Sequence, residues 1–377
     1  MESNLVQNLV NLKSLPQTWI IKDFKEVVSD NSGGNKKLAK SNFLKKGDIA
    51  VVDQGKKLIA GYYNDTNLVV KTQPPYVVFG DHTRAFKYID FPFVMGADGT
   101  KVLQPKNSNC DTKFLYYFFL SINVPDTGYN RHFKYLKELK IPLPPLGQQK
   151  KIAAILDAAD GYRQKTKALI TKYEELTQSL FLDMFGDETG SLTELGKIIK
   201  TVGGGTPSKD NEQYWNGNIP WASVKDLKSD RLNKTQDFIT QAGVDNSATR
   251  VIPNGSLIVA TRMAVGRAAI CEMDVAINQD LKAIQLIGEI NIMYLLYLFK
   301  SKENYFDSVS SGATVKGIKI EHITKLKVNL PEIDLQNQFA ERIQAIDAQK
   351  AQAQASLAGA EDLFNSLLQR AFKGELV

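Results

Sequence analysis

Hydrophobic and polar positions along this chain follow two rhythms, and each rhythm occurs twice. The first fills residues 1–145 and 188–331. It consists of short apolar runs separated by Gly, Asp and Asn, such as Asp48–Asp53, Asn67–Lys71 and Tyr76–Phe79, then Gly255–Thr261, Ala268–Glu272 and Leu281–Leu286. Runs of that length with those boundaries predict strands. One longer apolar stretch in each region, Phe114–Leu120 and Met293–Phe299, is helix-like. The second rhythm fills residues 146–187 and 332–377. Ile155, Ala159, Tyr162, Thr166, Leu169, Tyr173, Leu176 and Leu180 recur in alternating steps of four and three. Phe339, Ile343, Ile346, Lys350, Ala353, Leu357, Ala360, Phe364, Leu367 and Ala371 repeat the alternation. That is the seam of a paired helix, weakest at Thr166 and Lys350. Pro145 at the entry and Gly186 at the exit bound the first helix.

The two halves are copies. Residues 139–187 align without a gap on 326–374 at a constant offset of 187. Leu139/Leu326, Lys140/Lys327, Leu143/Leu330, Pro144/Pro331, Gln149/Gln336, Asp160/Asp347, Leu176/Leu363, Leu180/Leu367 and Phe185/Phe372 are identical pairs. Upstream, Lys46–Val52 echoes Asn254–Ala260, and Phe114–Leu120 echoes Met293–Phe299. The expected fold class is α+β: two similar mixed α/β modules joined by two long helices that form an antiparallel coiled coil, with a pseudo-two-fold internal repeat. Four segments follow: a first module (1–145), a first spacer helix (146–187), a second module (188–331) and a second spacer helix (332–377). A helix of about 38 residues is roughly 57 Å long at 1.5 Å per residue.

Charge sharpens this picture. Residues 1–145 carry 20 Lys and Arg against 13 Asp and Glu, and 188–331 carry 17 against 15. The helical segments carry 6 against 6 and 4 against 7. Basic modules on a spacer that is not basic suit a polyanion. No apolar run is long enough for a membrane span, so no membrane partner is expected. Cys110 and Cys271 read as free thiols and Met1–Leu15 lacks a signal peptide's pattern, which points to the cytoplasm.

Several strings imitate catalytic motifs. Gln73-Pro74-Pro75-Tyr76 has Gln where an amino-group methyltransferase needs a short Asp or Asn, and no glycine-rich cofactor loop accompanies it. Gly203–Lys209 resembles a phosphate-binding loop, but Ser208 replaces the glycine before the lysine and Asp210 follows it. Pro125-Asp126 with Glu138-Leu139-Lys140 imitates a nuclease motif, yet the repeat has Lys325-Leu326-Lys327 there. His82, His132 and His322 lack partners at metal-ligand spacing. The expectation is a chain that binds and does not catalyse, with no metal site and no cofactor of its own.

What remains are polar, basic and aromatic loops able to read DNA. In the first module these are Gly80, Asp81, His82 and Arg84, then Tyr129, Asn130 and Arg131, with Lys56 and Lys101. In the second they are Gly204, Gly205, Thr206, Pro207 and Ser208, with Trp221, Lys225, Arg262, Arg267, Asn278, Gln279 and Lys316; Trp215 and Trp221 fit a core place at least as well as a stacking one. Arg can grip guanine and Asn adenine with two hydrogen bonds each, while Lys and Ser/Thr mostly hold phosphates.

These residues resemble a known family, the specificity subunits of type I restriction–modification systems. The resemblance rests on Leu136–Leu146 with Gln149 and the helix after it, on Gly204–Ser208 with Tyr214–Trp221, on Asn278–Leu281, and on Leu330-Pro331 with Gln336. Departures are Asn329 and Glu332 in place of Pro142 and Pro145, and a first module without the Gly-Gly-Thr-Pro loop. The resemblance implies two target-recognition domains, each reading half of a split asymmetric site in double-stranded DNA, with the helices setting the spacer. It implies methyltransferase subunits, two of them, docked on the chain, and restriction–translocase subunits beyond these. S-adenosylmethionine, ATP and Mg²⁺ would belong to those partners. The alternative from a different class is a scaffold whose helices space two protein-binding modules.

Overall fold

The computed structural model describes residues 7–8, 15–128, 130–186 and 192–376. The chain divides into two compact units, residues 1–168 with 354–377, and residues 169–353. Each unit therefore holds one module, half of each long helix, and its own core.

In unit 1 the main strands are β1 (Ile20–Asp23), β2 (Val28–Asp30), β3 (Ile49–Val52), β4 (Gly61–Tyr63), β5 (Tyr76–Gly80), β6 (Phe86–Ile89), β7 (Phe93–Met95) and β8 (Thr100–Pro105), besides the short antiparallel pair Gln7–Asn8 and Ile122–Asn123. Helix α1 (Thr112–Ser121), a short turn α2 (Phe133–Leu136), strand β9 (Lys140–Leu143) and the long helix α3 (Leu146–Phe185) follow. One antiparallel sheet has the order β2-β8-β5-β6, and a smaller one places β3 between β4 and β7. Strand β9 closes antiparallel onto β1. Asn67–Lys71, expected as a strand, instead begins in a 3-10 turn at Thr66–Leu68, because Asp65 accepts from the Asn67 amide and starts a helical turn.

Unit 2 repeats the plan. Its strands are β10 (Leu192–Glu194), β11 (Ile199–Gly203), β12 (Trp215–Ala222), β13 (Arg231–Leu232), β14 (Asp237–Ile239), β15 (Arg250–Ile252), β16 (Leu257–Ala260), β17 (Ala268–Cys271), β18 (Val275–Ile277) and β19 (Leu281–Leu286). Helix α4 (Ile292–Ser301), turn α5 (Ile320–Thr324), β20 (Lys327–Asn329) and the long helix α6 (Ile333–Phe372) complete it. The larger sheet runs β11-β19-β16-β17-β13, and β12 pairs parallel with β18 in the second sheet. This topology corrects one echo read from the sequence. The strand within Lys46–Val52 is β3, which pairs parallel with β7. The strand within Asn254–Ala260 is β16, the antiparallel counterpart of β5. The true counterpart of β3 is β12.

Helices α1 and α4 are apolar through their middle because that part is buried; Phe114, Leu115, Tyr117, Phe118 and Phe119 face protein, as do Met293–Phe299. Each is capped by a side chain, Asp111 accepting from Lys113 and Phe114 amides and Asn291 from the Met293 amide. The repeated glutamines tie these caps to the long helices. Gln149 Oε1 accepts from the Asp111 amide (2.8 Å) and its Nε2 donates to Asn109 O and Pro144 O. Gln336 Oε1 accepts from the Asn291 amide (2.9 Å) and its Nε2 donates to Pro331 O. Both side chains are buried, so the amide satisfies backbone groups that burial would otherwise leave unpaired. The repeated phenylalanines do the same in the apolar core. The Phe372 ring lies 5.3 Å from Phe114, and Phe185 lies 5.0 Å from Tyr294.

Within each unit the halves of α3 and α6 run antiparallel. In unit 1, Lys167 pairs with Glu361 (2.9 Å) and Arg163 lies over Phe364 (4.3 Å). In unit 2, Glu174 pairs with Lys350 (2.8 Å) and Phe181 packs edge-on against Phe339 (5.6 Å). On α6, Phe339, Ile343, Ala353 and Phe364 are buried, and Ile346, Leu357 and Leu367 are half-buried. On α3 the expected seam needs correction. Leu169 and Leu176 are exposed (42% and 48%) and Ile155 is only half-buried; Tyr162 is exposed (53%) as well, and reaches α6 through the hydrogen bond between its hydroxyl and that of Ser356 (2.7 Å). The inward line is Ile152, Leu156, Ala159, Arg163, Thr166, Ile170, Tyr173, Thr177 and Phe181, with Leu180 half-buried beside it. Ala159, Thr166 and Tyr173 of the expected row lie on this line; each of the others has its inward neighbour one residue further on. The cause is that polar Arg163 and Thr177 occupy inward positions while apolar Tyr162 and Leu176 sit beside them. Arg163 is accommodated because Asp160 accepts from its guanidinium and Phe364 covers it, and the Thr177 hydroxyl donates to Glu174 O.

Candidate nucleic-acid interface

In each unit the strand ends deliver loops to one corner, and the same backbone hydrogen bonds build both corners. After β5, the Asp81 amide donates to Gly99 O (2.7 Å) and Asp81 O accepts from the His132 amide (2.9 Å). After β16, the Thr261 amide donates to Asp280 O (2.8 Å) and Thr261 O accepts from the Ile318 amide (2.9 Å). The end of the parallel strand repeats too: Gly96 N donates to Val52 O (2.8 Å), and Asn278 N to Ala222 O (3.0 Å). Three loops far apart in sequence thus meet at each corner.

In unit 1 this joins two of the loops expected to read DNA. His82 Nδ1 donates to Asn130 O (3.2 Å), and the Phe133 amide donates to Asp81 Oδ1 (2.7 Å). The His82 amide donates to Gln54 Oε1 (3.2 Å), and the Thr83 hydroxyl donates to Gln54 O, which brings the loop bearing exposed Lys56 to the same corner. Arg84 adopts a left-handed backbone (φ +61°) and its guanidinium meets Asp126 at 2.6 Å. The Gly128 amide and Arg84 hold the Asp126 carboxyl below its usual range. Asn130 and Arg131 are exposed at this edge. Tyr129 lies outside the described residues.

In unit 2 the Gly204–Ser208 loop is held by two indoles. Trp221 Nε1 donates to Gly205 O (3.1 Å) and Trp215 Nε1 to Ser208 O (2.9 Å), the rings meeting edge-on at 5.2 Å. The Thr206 hydroxyl donates to Gln279 Oε1 (2.5 Å), which joins this loop to the Asn278-Gln279 turn. A Cβ on Gly204 would lie 2.0 Å from Ile277 O, so only glycine lets the loop approach that strand. Arg262 meets Asp280 at 3.3 Å, and the Met263 amide donates to Lys316 O (2.9 Å), which brings the 311–317 hairpin to the corner. Lys316 is exposed and pairs with Asp307 (3.7 Å). Lys225 lies on the loop after β12 and pairs with Asp237 at 2.6 Å, which raises its pKa. The exposed Arg267 donates to Leu227 O (3.2 Å).

Several expected DNA-facing residues turn inward instead. Asp81 (2% exposed), Trp221 (5%) and Asn278 (6%) are committed to the protein. Asp81 caps the Phe133 amide, Trp221 pins Gly205, and Asn278 accepts from the Asp280 amide. Gly80, Gly205 and Pro207 are likewise buried. A Cβ on Gly80 would fall 2.2 Å from Gln54 O. These residues shape the loops and leave outward chemistry to His82, Arg84, Asn130, Arg131, Thr206, Ser208, Arg262, Gln279 and Lys316. Lys101 is only partly exposed, sitting between Asp30 (2.9 Å) and the Phe133 ring (4.6 Å). Gln54 was missed by sequence reading, since nothing local marks it as the bridge between two loops.

Tyr76 of Gln73–Tyr76 is a fully buried core residue on β5, and its hydroxyl donates to Thr72 O. Among the described residues no group of three His, Cys, Asp or Glu side chains could hold a metal ion, and no helix is long and apolar enough to cross a membrane.

Comparison with known proteins settles the family. The model of the type I restriction modification DNA specificity domain matches twice, at residues 16–177 and 187–357. The chain belongs to that family. It is 28% identical over 323 residues to the EcoR124I/EcoR124II type I restriction enzyme specificity subunit of Escherichia coli, covering 79% of each chain. It is 29% identical over 179 residues to the MjaIX specificity subunit of Methanocaldococcus jannaschii, covering 43% of this chain and 41% of that one. The fold matches the solved S subunit of a type I system from M. genitalium (TM-score 0.55, 16% identity, 95% and 98% of the two chains). It also matches a chain from a solved type I R-M system (TM-score 0.58, 17% identity, 96% and 99%). Family membership agrees with the two modules and paired helices described above.

Proposed function

We propose that this chain is the sequence-specific DNA-recognition subunit of a type I restriction–modification complex, and that each corner reads one half of a split, asymmetric site. The observation that carries this reading is the duplicated corner: one backbone frame, built twice, presenting different side chains. Arg84, Asn130 and Arg131 in unit 1 and Arg262, Gln279 and Lys316 in unit 2 are the residue types that read base edges and hold phosphates. The chain itself performs no chemical step. Two methyltransferase subunits that bind S-adenosylmethionine dock on it and modify adenines, and restriction–translocase subunits using ATP and Mg²⁺ join them, all in the cytoplasm. The paired helices set the spacer between half-sites. Matched insertions of four residues in α3 and α6, about one turn or ~6 Å, lengthen the spacer by roughly one to two base pairs. Modified-base sequencing of genomic DNA tests the reading. Cells carrying this chain with its methyltransferase partner should show a split adenine-methylated motif that disappears when only this chain is removed. An unchanged methylome, with both proteins expressed and associated, would favour the protein scaffold instead.

A further inference from the structure

The two units differ at one place beside their corners. In unit 1 a concavity of about 420 Å³ has Lys25, Lys106 and Lys137 at its rim and Phe24, Val28 and Phe133 in its floor. The shared backbone frame identifies the equivalent positions in unit 2. Phe24 N donates to Leu139 O as Leu195 N donates to Leu326 O, which matches Lys25 to Gly196. Lys106 N donates to Val27 O as Ile287 N donates to Ile198 O, which matches Lys106 to Ile287. The offset of the repeat matches Lys137 to Thr324. All three lysines are therefore lost in unit 2. A Cβ on Gly196 would lie 2.9 Å from Thr324 Cβ, so two of the three positions are closed against each other there.

The concavity is continuous with the reading corner through one residue. The Phe133 amide donates to Asp81 Oδ1 at the corner, while its ring carries Lys101 at 4.6 Å and Lys137 at 5.1 Å. The acidic member of the lining, Asp30, is already engaged by Lys101 (2.9 Å) and by Ser32. The three rim lysines form no ion pair among the described residues; Lys106 Nζ donates to Lys25 O, which leaves its charge uncompensated. An apolar floor beneath a cationic rim matches the sugar–phosphate backbone, whose apolar sugar faces alternate with anionic phosphates. Lysine suits this task because it holds a phosphate as a point charge.

We propose that this concavity seats the DNA backbone flanking the half-site read by unit 1, and that the half-site read by unit 2 has no such seat. The inference rests on the reading of the chain as a DNA-recognition subunit. The full chain, assembled with its methyltransferase subunits, is titrated at several salt concentrations against a duplex carrying its own methylated motif and against a random duplex. The K25Q/K106Q/K137Q variant should lower the slope of log K against log salt by about 2 to 3, since each phosphate contact contributes about 0.9. Its methylated motif should be unchanged, and K25R/K106R/K137R should restore the slope. The control K40Q/K45Q/K46Q removes the same charge from lysines that do not line the concavity and should move the slope by less than about 1. An unchanged slope in the first variant, or equal losses in both, overturns the seat. A variant that keeps its slope but no longer co-elutes with the methyltransferase assigns the lysines to a protein partner and also overturns it. A wild-type complex that fails to prefer its motif over the random duplex defeats the DNA-recognition reading itself, a result distinct from the others.

Discussion

The two units share a frame and differ in what the frame holds out. Unit 1 turns from β5 to β6 through a short loop closed on Asn130 and Gln54. Unit 2 turns from β16 to β17 through a longer one, adds the indole-pinned Gly204–Ser208 loop, and adds strand β13 to its sheet. Beneath these differences, Gln149 and Gln336 share two bonds, to the cap amide and to the proline carbonyl, and Phe372 and Phe185 fill the same place against α1 and α4. Residues held to one identity by packing and buried polar satisfaction are repeated. Residues that face outward from loops are free to differ, and in this chain they do.

That contrast can be broken at several strengths. The largest effect is expected from the repeated phenylalanines. Phe372→Ala should cost about 3–5 kcal/mol by denaturant unfolding, and Phe185→Ala somewhat less, since Phe185 is 8% exposed against 1%. A loss in only one of the two would show that the frames are not energetically equivalent. Next come Gln149→Leu and Gln336→Leu, each expected to cost about 1–3 kcal/mol because the Asp111 or Asn291 amide is left buried without an acceptor. At the corners, Arg84→Ala and Arg262→Ala should each lose about 1–3 kcal/mol of base discrimination in one half-site and none in the other, read by competition binding against single-base variants. A loss spread over both half-sites would mean that the corners do not read separately. The smallest effect tests the helix seam. Leu176→Ala and Leu363→Ala, identical in the repeat and both exposed (48% and 52%), should change stability by less than about 0.5 kcal/mol. Leu156→Ala, on the inward line, should cost about 2–5 kcal/mol. A large loss at Leu176 would restore the seam expected from periodicity alone.

The sequence made some of this legible and hid the rest for physical reasons. The long helices were visible because period and boundary residues are local, and α3 begins directly after Pro145 as expected. The α3 seam was half misread because polar Arg163 and Thr177 take inward positions. The register of α6, carried back across the offset of 187, would have placed Ile152, Leu156 and Thr177 correctly. The false echo between Lys46–Val52 and Asn254–Ala260 arose because a turn followed by an apolar run describes any buried strand, whichever sheet it joins. The corners were legible as residue types and not as places. Nothing near Asp81 in sequence announces that the His132 and Phe133 amides will bond to it, and a polar residue type does not tell a capping role from an outward one. Asp81 and Asn278 read as outward for that reason, while Trp221, which fits a core place as well as a stacking one, takes the core place.

The central claim is that two modules on one frame read two half-sites independently. Its most direct test exchanges residues 192–330 for the equivalent module of a relative and reads the methylated motif by modified-base sequencing. One half-site should change while the other half-site and the spacer stay as they were. A change in both half-sites, or a spacer that shifts with the exchange, would contradict it.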